Sequence, residues 1–102
     1  MKGLPLLREA GWLREGGRWT ALVRLYEHRE RAGVWEIQLH DPARCGRAER
    51  QDFLFEGEDA EPAARAALAD VYRQGEECGG RWETHSYPHP DEARPDVTQR
   101  DA

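Results

Sequence analysis

The sequence predicts an α+β domain of two layers, an antiparallel meander of three or four strands packed against one long helix. Apolar and polar residues alternate over 18–27, 34–40 and 49–56, as in half-buried strands. Apolar residues recur at helical spacing from about residue 60 to 76. Hydrophobic residues make up 38% of the 102 residues, which is enough for one modest core.

The N-terminal segment 4–15 has two interpretations. Its apolar residues fall on one face of a helix, at the spacing i, i+4, i+7: Leu6, Ala10 and Leu13. In this preferred interpretation Gly16 and Gly17 end a short helix. In the alternative, the two glycines are a two-residue hairpin turn and the residues before them form a short strand.

The three alternating segments predict consecutive antiparallel strands. The strands at 18–27 and 34–40 are joined by a short polar loop, which favours a hairpin. Asp41-Pro42 stops the second strand, because proline has no donor for the sheet. A small basic loop at 41–48 then leads to the third strand at 49–56.

The helix is predicted to begin after Asp59 as N-cap and to end at Gly75 or Gly79. Its apolar stripe comprises Ala60, Ala64, Ala67, Leu68, Val71 and Tyr72. Residues 81–87 are a fourth candidate strand, and the sequence leaves open whether that strand joins the sheet.

These elements predict one domain at 1–87 with a single core. We expect the core to comprise Trp19, Val23, Leu25, Trp35, Ile37, Leu39, Phe53, Phe55, Leu68, Val71, Tyr72 and Trp82. Residues 88–102 contain three prolines and a surplus of acidic side chains, which predicts a disordered acidic tail.

Composition argues against several classes of function. The longest apolar run near the N-terminus is too short for a signal peptide or a membrane span, so we expect a cytoplasmic protein without a membrane partner. Lys2 is the only lysine, and no phosphate-binding glycine loop accompanies it. Ser86 is the only serine, and no nucleophile elbow surrounds it. We therefore expect no enzyme activity and no cofactor.

Four side chains are candidate metal ligands, namely Cys45, Cys78, His85 and His89. Three of them follow the pattern C-x6-H-x3-H, and zinc accepts such ligands. Structural zinc sites usually pair two ligands closely, and the closely spaced cysteine pair is missing here. The sequence therefore predicts two ordinary thiols and no metal.

Charge is distributed unevenly along the chain. Residues 1–50 carry a net charge of +3, and residues 51–102 carry −8. The candidate binding residues lie on the outward side of the predicted sheet and in the loop beside it, and they are Arg18, Arg24, Tyr26, His40, Arg44, Arg47 and Arg50. Arginine beside an aromatic side chain suits nucleic acid, although several carboxylates lie among them.

The outward side of the sheet also carries apolar residues, which are Leu22, Tyr26, Val34 and Leu54. Such a face is covered either by the chain's own N-terminal segment, by a second subunit or by a partner. We expect a small non-catalytic binding or accessory protein that contacts a protein partner or associates with itself. Nucleic-acid binding through the same face and the 41–50 loop is the alternative.

Overall fold

Five antiparallel strands and one long helix build the fold in a computed structural model that describes residues 5–45 and 50–88. The elements in chain order are β1 (Leu6–Glu15), β2 (Arg18–Glu27), β3 (Val34–His40), α1 (Pro42–Cys45), β4 (Arg50–Glu56), α2 (Ala60–Glu77) and β5 (Arg81–Ser86). The sheet order is β4-β3-β2-β1-β5, and α2 packs on one face. The predicted two-layer α+β architecture and its meander are confirmed.

The preference for an N-terminal helix is wrong, and the hairpin interpretation is right. Segment 6–15 is β1, which lies between β2 and β5 and pairs with both. Gly16 and Gly17 form the turn, with φ angles of 60° and 82°. Two consecutive positive φ angles suit a two-residue turn of type I′, and glycine adopts them without strain.

The strands after this hairpin follow the predicted alternation. Val23, Leu25, Ile37 and Leu39 are at most 2% exposed and point towards α2. The predicted basic loop at 41–48 begins with the single helical turn α1, and residues 46–49 lie outside the described residues. Val34 lies on the outward side of the sheet, as expected, because it alternates with the inward-facing Trp35, and its side chain is buried there.

Helix α2 confirms the predicted apolar stripe. Ala60, Ala64, Leu68 and Val71 are buried against the sheet, and alanine lets the helix approach closely. Asp59 occupies the N-cap position, but its side chain makes no capping hydrogen bond. Of the two glycines considered as terminators, Gly79 follows the C-cap with a φ of 93°.

Gly75 lies inside α2, where it makes room for an aromatic side chain of β5. A methyl group on Gly75 would lie 2.5 Å from Nε1 of Trp82, closer than any real contact. The same nitrogen donates a hydrogen bond of 2.9 Å to the carbonyl oxygen of Tyr72. The fourth predicted strand therefore joins the sheet as β5, beside β1, and Trp82 anchors it to the helix.

The predicted core is confirmed with one exception. Phe53, Phe55, Tyr72 and Trp82 are partly buried and pack against the central cluster of buried residues. Trp19 was expected in this core, but its side chain is 55% exposed. The acidic tail predicted from residue 88 falls outside the described residues beyond Pro88. No helix in the described part of the chain is long and apolar enough to cross a membrane.

Candidate functional site

The face of the sheet opposite α2 is the candidate site, and we call it the outer face. Side chains alternate between the two faces of a strand, so the neighbours of the buried core residues point outward. The outer face comprises Trp12, Arg14, Leu22, Arg24, Tyr26, Glu36, Gln38, His40, Arg50, Asp52, Leu54, Glu83 and His85.

The register arranges these side chains in rows across the sheet. One row runs from Asp52 through Gln38 and Arg24 to His85, with Ala10 between the last two. Adjacent strands lie about 4.8 Å apart, so such a row crosses roughly 19 Å. The outer face is therefore wide enough to hold an extended segment or one face of another domain.

No described element covers the outer face. The sequence offered the N-terminal segment as the cover, and this expectation is wrong because the segment is a strand of the sheet itself. In the described part of the chain, the large hydrophobic side chains that are exposed are Trp19 at 55%, Leu54 at 53% and Tyr87 at 39%. The register places Leu54 on the outer face, and Tyr87 continues the outward side of β5.

A bulge in β2 moves Trp19 to this face. Leu13 pairs with Ala21 and Arg14 pairs with Trp19, so Thr20 is left without a partner strand residue. An extra residue of this kind reverses the alternation on one side of it. Trp19 consequently shares the outer face with Arg14, whose guanidinium carbon lies 4.9 Å from the centre of the indole ring.

Trp19 belongs to a group of aromatic side chains at one end of the outer face, and we call this group the aromatic patch. Its members are Trp12, Trp19, His85 and Tyr87. The Trp12 and His85 rings meet edge to face with centroids 5.7 Å apart, and His85 lies 6.5 Å from the ring of Tyr87. An open groove of about 440 Å³ runs between Trp12, Trp19, His85 and Glu83.

Charges on the outer face largely pair with one another. Arg50 lies 3.2 Å from Asp52, and Arg14 lies 3.9 Å from Glu83. Glu36 accepts one hydrogen bond from Gln38, and its other carboxylate oxygen lies 2.9 Å from Nε2 of His28. The face therefore presents alternating charge of both signs rather than a continuous positive surface, and surface pairs of this kind contribute little to stability.

The structure brings four of the seven predicted binding residues together on the outer face. These are Arg24, Tyr26, His40 and Arg50, carried by three adjacent strands. Nε2 of His40 is buried and has no hydrogen-bond partner within the described residues.

The remaining predicted binding residues lie elsewhere. Arg18 pairs with Glu15, so the bulge at Thr20 turns it to the side of the sheet that faces α2. The expectation of Arg18 on the outward side is therefore wrong. The side chain of Arg44 and all of Arg47 lie outside the described residues.

Sequence reasoning missed most of the aromatic patch. The sequence assigns Trp12 to a helix, but residues 6–15 are the first strand of a hairpin. It assigns Trp19 to the core, but the bulge at Thr20 moves Trp19 to the outer face. The useful signal was Gly16-Gly17, because a hairpin there sets the register that places Trp12 on the outer face. His85 and Tyr87 follow once β5 is paired with β1.

The described part of the chain holds no assembled metal-ligand cluster. No group of three or more histidine, cysteine, aspartate or glutamate side chains is arranged to hold a metal ion there. Cys78 is an exposed free thiol at the end of α2, and His85 belongs to the aromatic patch. The side chain of Cys45 and all of His89 lie outside the described residues.

Comparisons with protein-family models, with curated proteins and with solved structures found no match to this chain.

Proposed function

We propose that this chain is a non-catalytic binding protein and that a protein partner docks on its outer face. The observation that carries this proposal is the position of the three exposed large hydrophobic side chains, Trp19, Leu54 and Tyr87, on that side of the sheet. Exposed apolar groups on one uncovered face are typical of an interaction surface, because water solvates them poorly.

The composition of the outer face supports a protein partner. Tryptophan, tyrosine and arginine are the residues most enriched at the energetic centres of protein interfaces, and Trp12, Trp19, Tyr26 and Arg24 supply them here. The ion pairs Arg50–Asp52 and Arg14–Glu83 neutralise charge on the face, which lowers its attraction for a polyanion. A partner with an apolar contact surface fits this arrangement better than a phosphate backbone does.

Affinity capture of proteins from native cell extract tests the proposal, provided that retention is compared between the parent and a variant of the outer face. The bait pair is the parent chain and a double variant, Trp19→Ala with Leu54→Ser. Both residues are more than half exposed, so their replacement should leave the melting temperature within a few degrees. The matched control is Ala69→Ser, at an exposed position of α2 on the opposite side of the molecule.

We expect a protein that parent and control retain and the double variant loses. Equal retention by all three would contradict docking on the outer face, and so would the absence of any retained protein.

Nucleic acid is the second candidate, and one observation favours it. Arg14 stacks on the exposed ring of Trp19 beside Trp12, and arginine with exposed aromatic rings is a common platform for unpaired bases. Fluorescence anisotropy of labelled single- and double-stranded DNA and RNA at two salt concentrations distinguishes the candidates. Phosphate contacts lose affinity steeply with salt, whereas an apolar interface is nearly indifferent to it.

The arginines of the outer face supply the control for that titration. If nucleic acid binds, Arg24→Ala with Arg50→Ala should lower the salt slope by about two. An unchanged slope would remove this face from any nucleic-acid role. Repeating the titration without residues 88–102 shows whether the acidic tail competes for the same surface.

A further inference from the structure

The second edge of β5 has no strand partner among the described residues. β5 is the last strand of the sheet, and within residues 5–45 and 50–88 only its side towards β1 pairs with another strand. Its pairing with β1 runs from Arg81 to Ser86 without a register shift. The strand contains neither lysine nor proline nor a bulge, which are the devices that usually prevent an edge from pairing with another chain.

The orientation of the backbone groups on β5 follows from one hydrogen bond. The N–H of Tyr87 donates to the carbonyl oxygen of Arg8 at 2.8 Å, so the backbone groups of Tyr87 point towards β1. Orientation alternates along an antiparallel strand. Glu83 and His85 therefore also point towards β1, while the N–H and C=O groups of Trp82, Thr84 and Ser86 point to the open edge.

We propose that two copies of this chain pair through β5, antiparallel, about a two-fold axis that passes Thr84. In this register Thr84 lies opposite Thr84 of the second copy, and Trp82 lies opposite Ser86 of the second copy. These three residues are the ones whose backbone groups point outward. Both donors and acceptors of each would be satisfied, and two five-stranded sheets would become one of ten strands.

The side chains agree with this register. It places Glu83 opposite His85 of the second copy on the outer face, and Arg81 opposite Tyr87. Each pairing occurs twice because of the symmetry. A carboxylate accepts a hydrogen bond from an imidazole N–H, and a cation beside a ring stabilises a cross-strand pair. Five of the six side chains from Arg81 to Ser86 are exposed, and only Trp82 is partly buried. No described residue therefore has to move to admit a second strand.

Neighbouring registers are less favourable. Moving the axis to Glu83 places two glutamates directly opposite each other, and like charges in that position are destabilising. Moving it to His85 places two histidines together and leaves Glu83 opposite Tyr87. The charges of β5, as well as its hydrogen bonds, therefore favour Thr84 as the position of the two-fold axis.

The other sheet edge, on β4, fits a second copy less well. The hydrogen bond from the N–H of Gly57 to the carbonyl oxygen of Gly33 places the backbone groups of Asp52 and Leu54 on the open side of β4. An axis at Asp52 would set two carboxylates opposite each other, and an axis at Phe53 would set Asp52 opposite Leu54. An axis at Gln51 would set Asp52 opposite Arg50 of the second copy, but these two side chains already pair within one chain at 3.2 Å. Glu56 is also already held by Arg31 at 3.2 Å.

This pairing goes beyond the proposed function, because it uses the backbone of β5 and leaves the outer face open. The two outer faces would become continuous across the axis. The aromatic patches of the two copies would then lie on either side of the two-fold axis, and a symmetric partner would meet both.

Sedimentation equilibrium of the full chain, with Thr84→Pro and Thr84→Val, tests the pairing. Proline removes the N–H of Thr84, which bonds to nothing in the sheet, so the monomer should still fold. The dimer loses two hydrogen bonds, so its dissociation constant should rise about tenfold or more. Thr84→Val keeps the N–H and should dimerise like the parent.

Amide hydrogen exchange supplies a second readout on the unmodified chain. On raising the protein concentration, exchange at Trp82, Thr84 and Ser86 should slow, while exchange at Glu83 and His85 should stay slow throughout. A chain that remains monomeric, or a Thr84→Pro variant that dimerises like the parent, would overturn the pairing. A dimer without slowed exchange at Thr84 would assign self-association to the outer face, and one abolished only by Leu54→Pro would assign it to β4.

Discussion

Replacing Gly75 by alanine should destabilise the protein, although the same change stabilises most helices. Alanine is favoured over glycine in a helix interior by about 1 kcal/mol. Here the added methyl carbon would lie 2.5 Å from Nε1 of Trp82 and 2.9 Å from two further ring atoms. The indole must move, and overpacking of this kind costs about 1–3 kcal/mol.

Moving Trp82 also breaks its hydrogen bond to the carbonyl oxygen of Tyr72, at a cost of about 1 kcal/mol. The net expectation is a loss of about 1–3 kcal/mol in the free energy of unfolding, or a fall of roughly 5–20 °C in Tm. Urea unfolding followed by tryptophan fluorescence measures it. Ala69→Gly, at an exposed position of α2, should lose about 1 kcal/mol and reports the helix propensity alone. A Gly75→Ala variant more stable than the parent would refute the packing of β5 against α2.

Three further variants test other parts of the fold. Trp35 is 5% exposed, with the guanidinium carbons of Arg8 and Arg65 each 5.5 Å from its ring, and Trp35→Ala should lose about 3–5 kcal/mol in urea unfolding; a parent-like midpoint would show that the inner face is misassigned. Burial, the hydrogen bond of 2.8 Å to Glu9 and the charge of Glu9 raise the pKa of Tyr72. Because the raised pKa favours the protonated folded state, this contribution is complete below the unfolded pKa of about 10 and is lost as the pH rises above it. Stability should therefore fall more steeply above about pH 10 in the parent than in Tyr72→Phe, and equal slopes would exclude Tyr72 as the cause. Deleting residues 1–15 removes β1 from between β2 and β5, so cooperative unfolding should disappear from thermal melts; a deletion that melts like the parent would contradict the strand order.

The sequence predicts well those strands and helices in which the spacing of apolar residues matches the pattern of burial. From Ala21 onward β2 alternates regularly between buried and outward side chains, and so does β3. The apolar stripe of α2 repeats without interruption. The boundaries of these elements consequently fall within one or two residues of the expected ones.

β1 was harder to predict because its own pattern is interrupted. The register of β1 with β2 shifts between Leu7 and Glu9, so Arg8 is the extra residue of a bulge and the period of two is lost at that point. Gly11 contributes no side chain to the pattern, since its place on the inner face is filled by Tyr72. Leu6, Ala10 and Leu13 then match a helical spacing by coincidence.

The same reasons explain which residues of the candidate site could be predicted from the sequence. Arg24, Tyr26, His40 and Arg50 lie on regularly alternating strands, and their common face was predictable. The aromatic patch depends on the Thr20 bulge and on the pairing of β5 with β1, which is a contact between the two ends of the domain. No local pattern records a pairing over that separation.

Covalent footprinting reports whether a partner covers the outer face in native cell extract. The purified protein, diluted to the monomer, and the same protein in native cell extract are labelled with a carbene reagent and compared by mass spectrometry. If a partner docks on the outer face, labelling of Trp19 and Leu54 falls in the extract, while labelling of the exposed face of α2 around Ala69 does not change. Equal labelling of Trp19 and Leu54 in both samples would contradict a partner on the outer face.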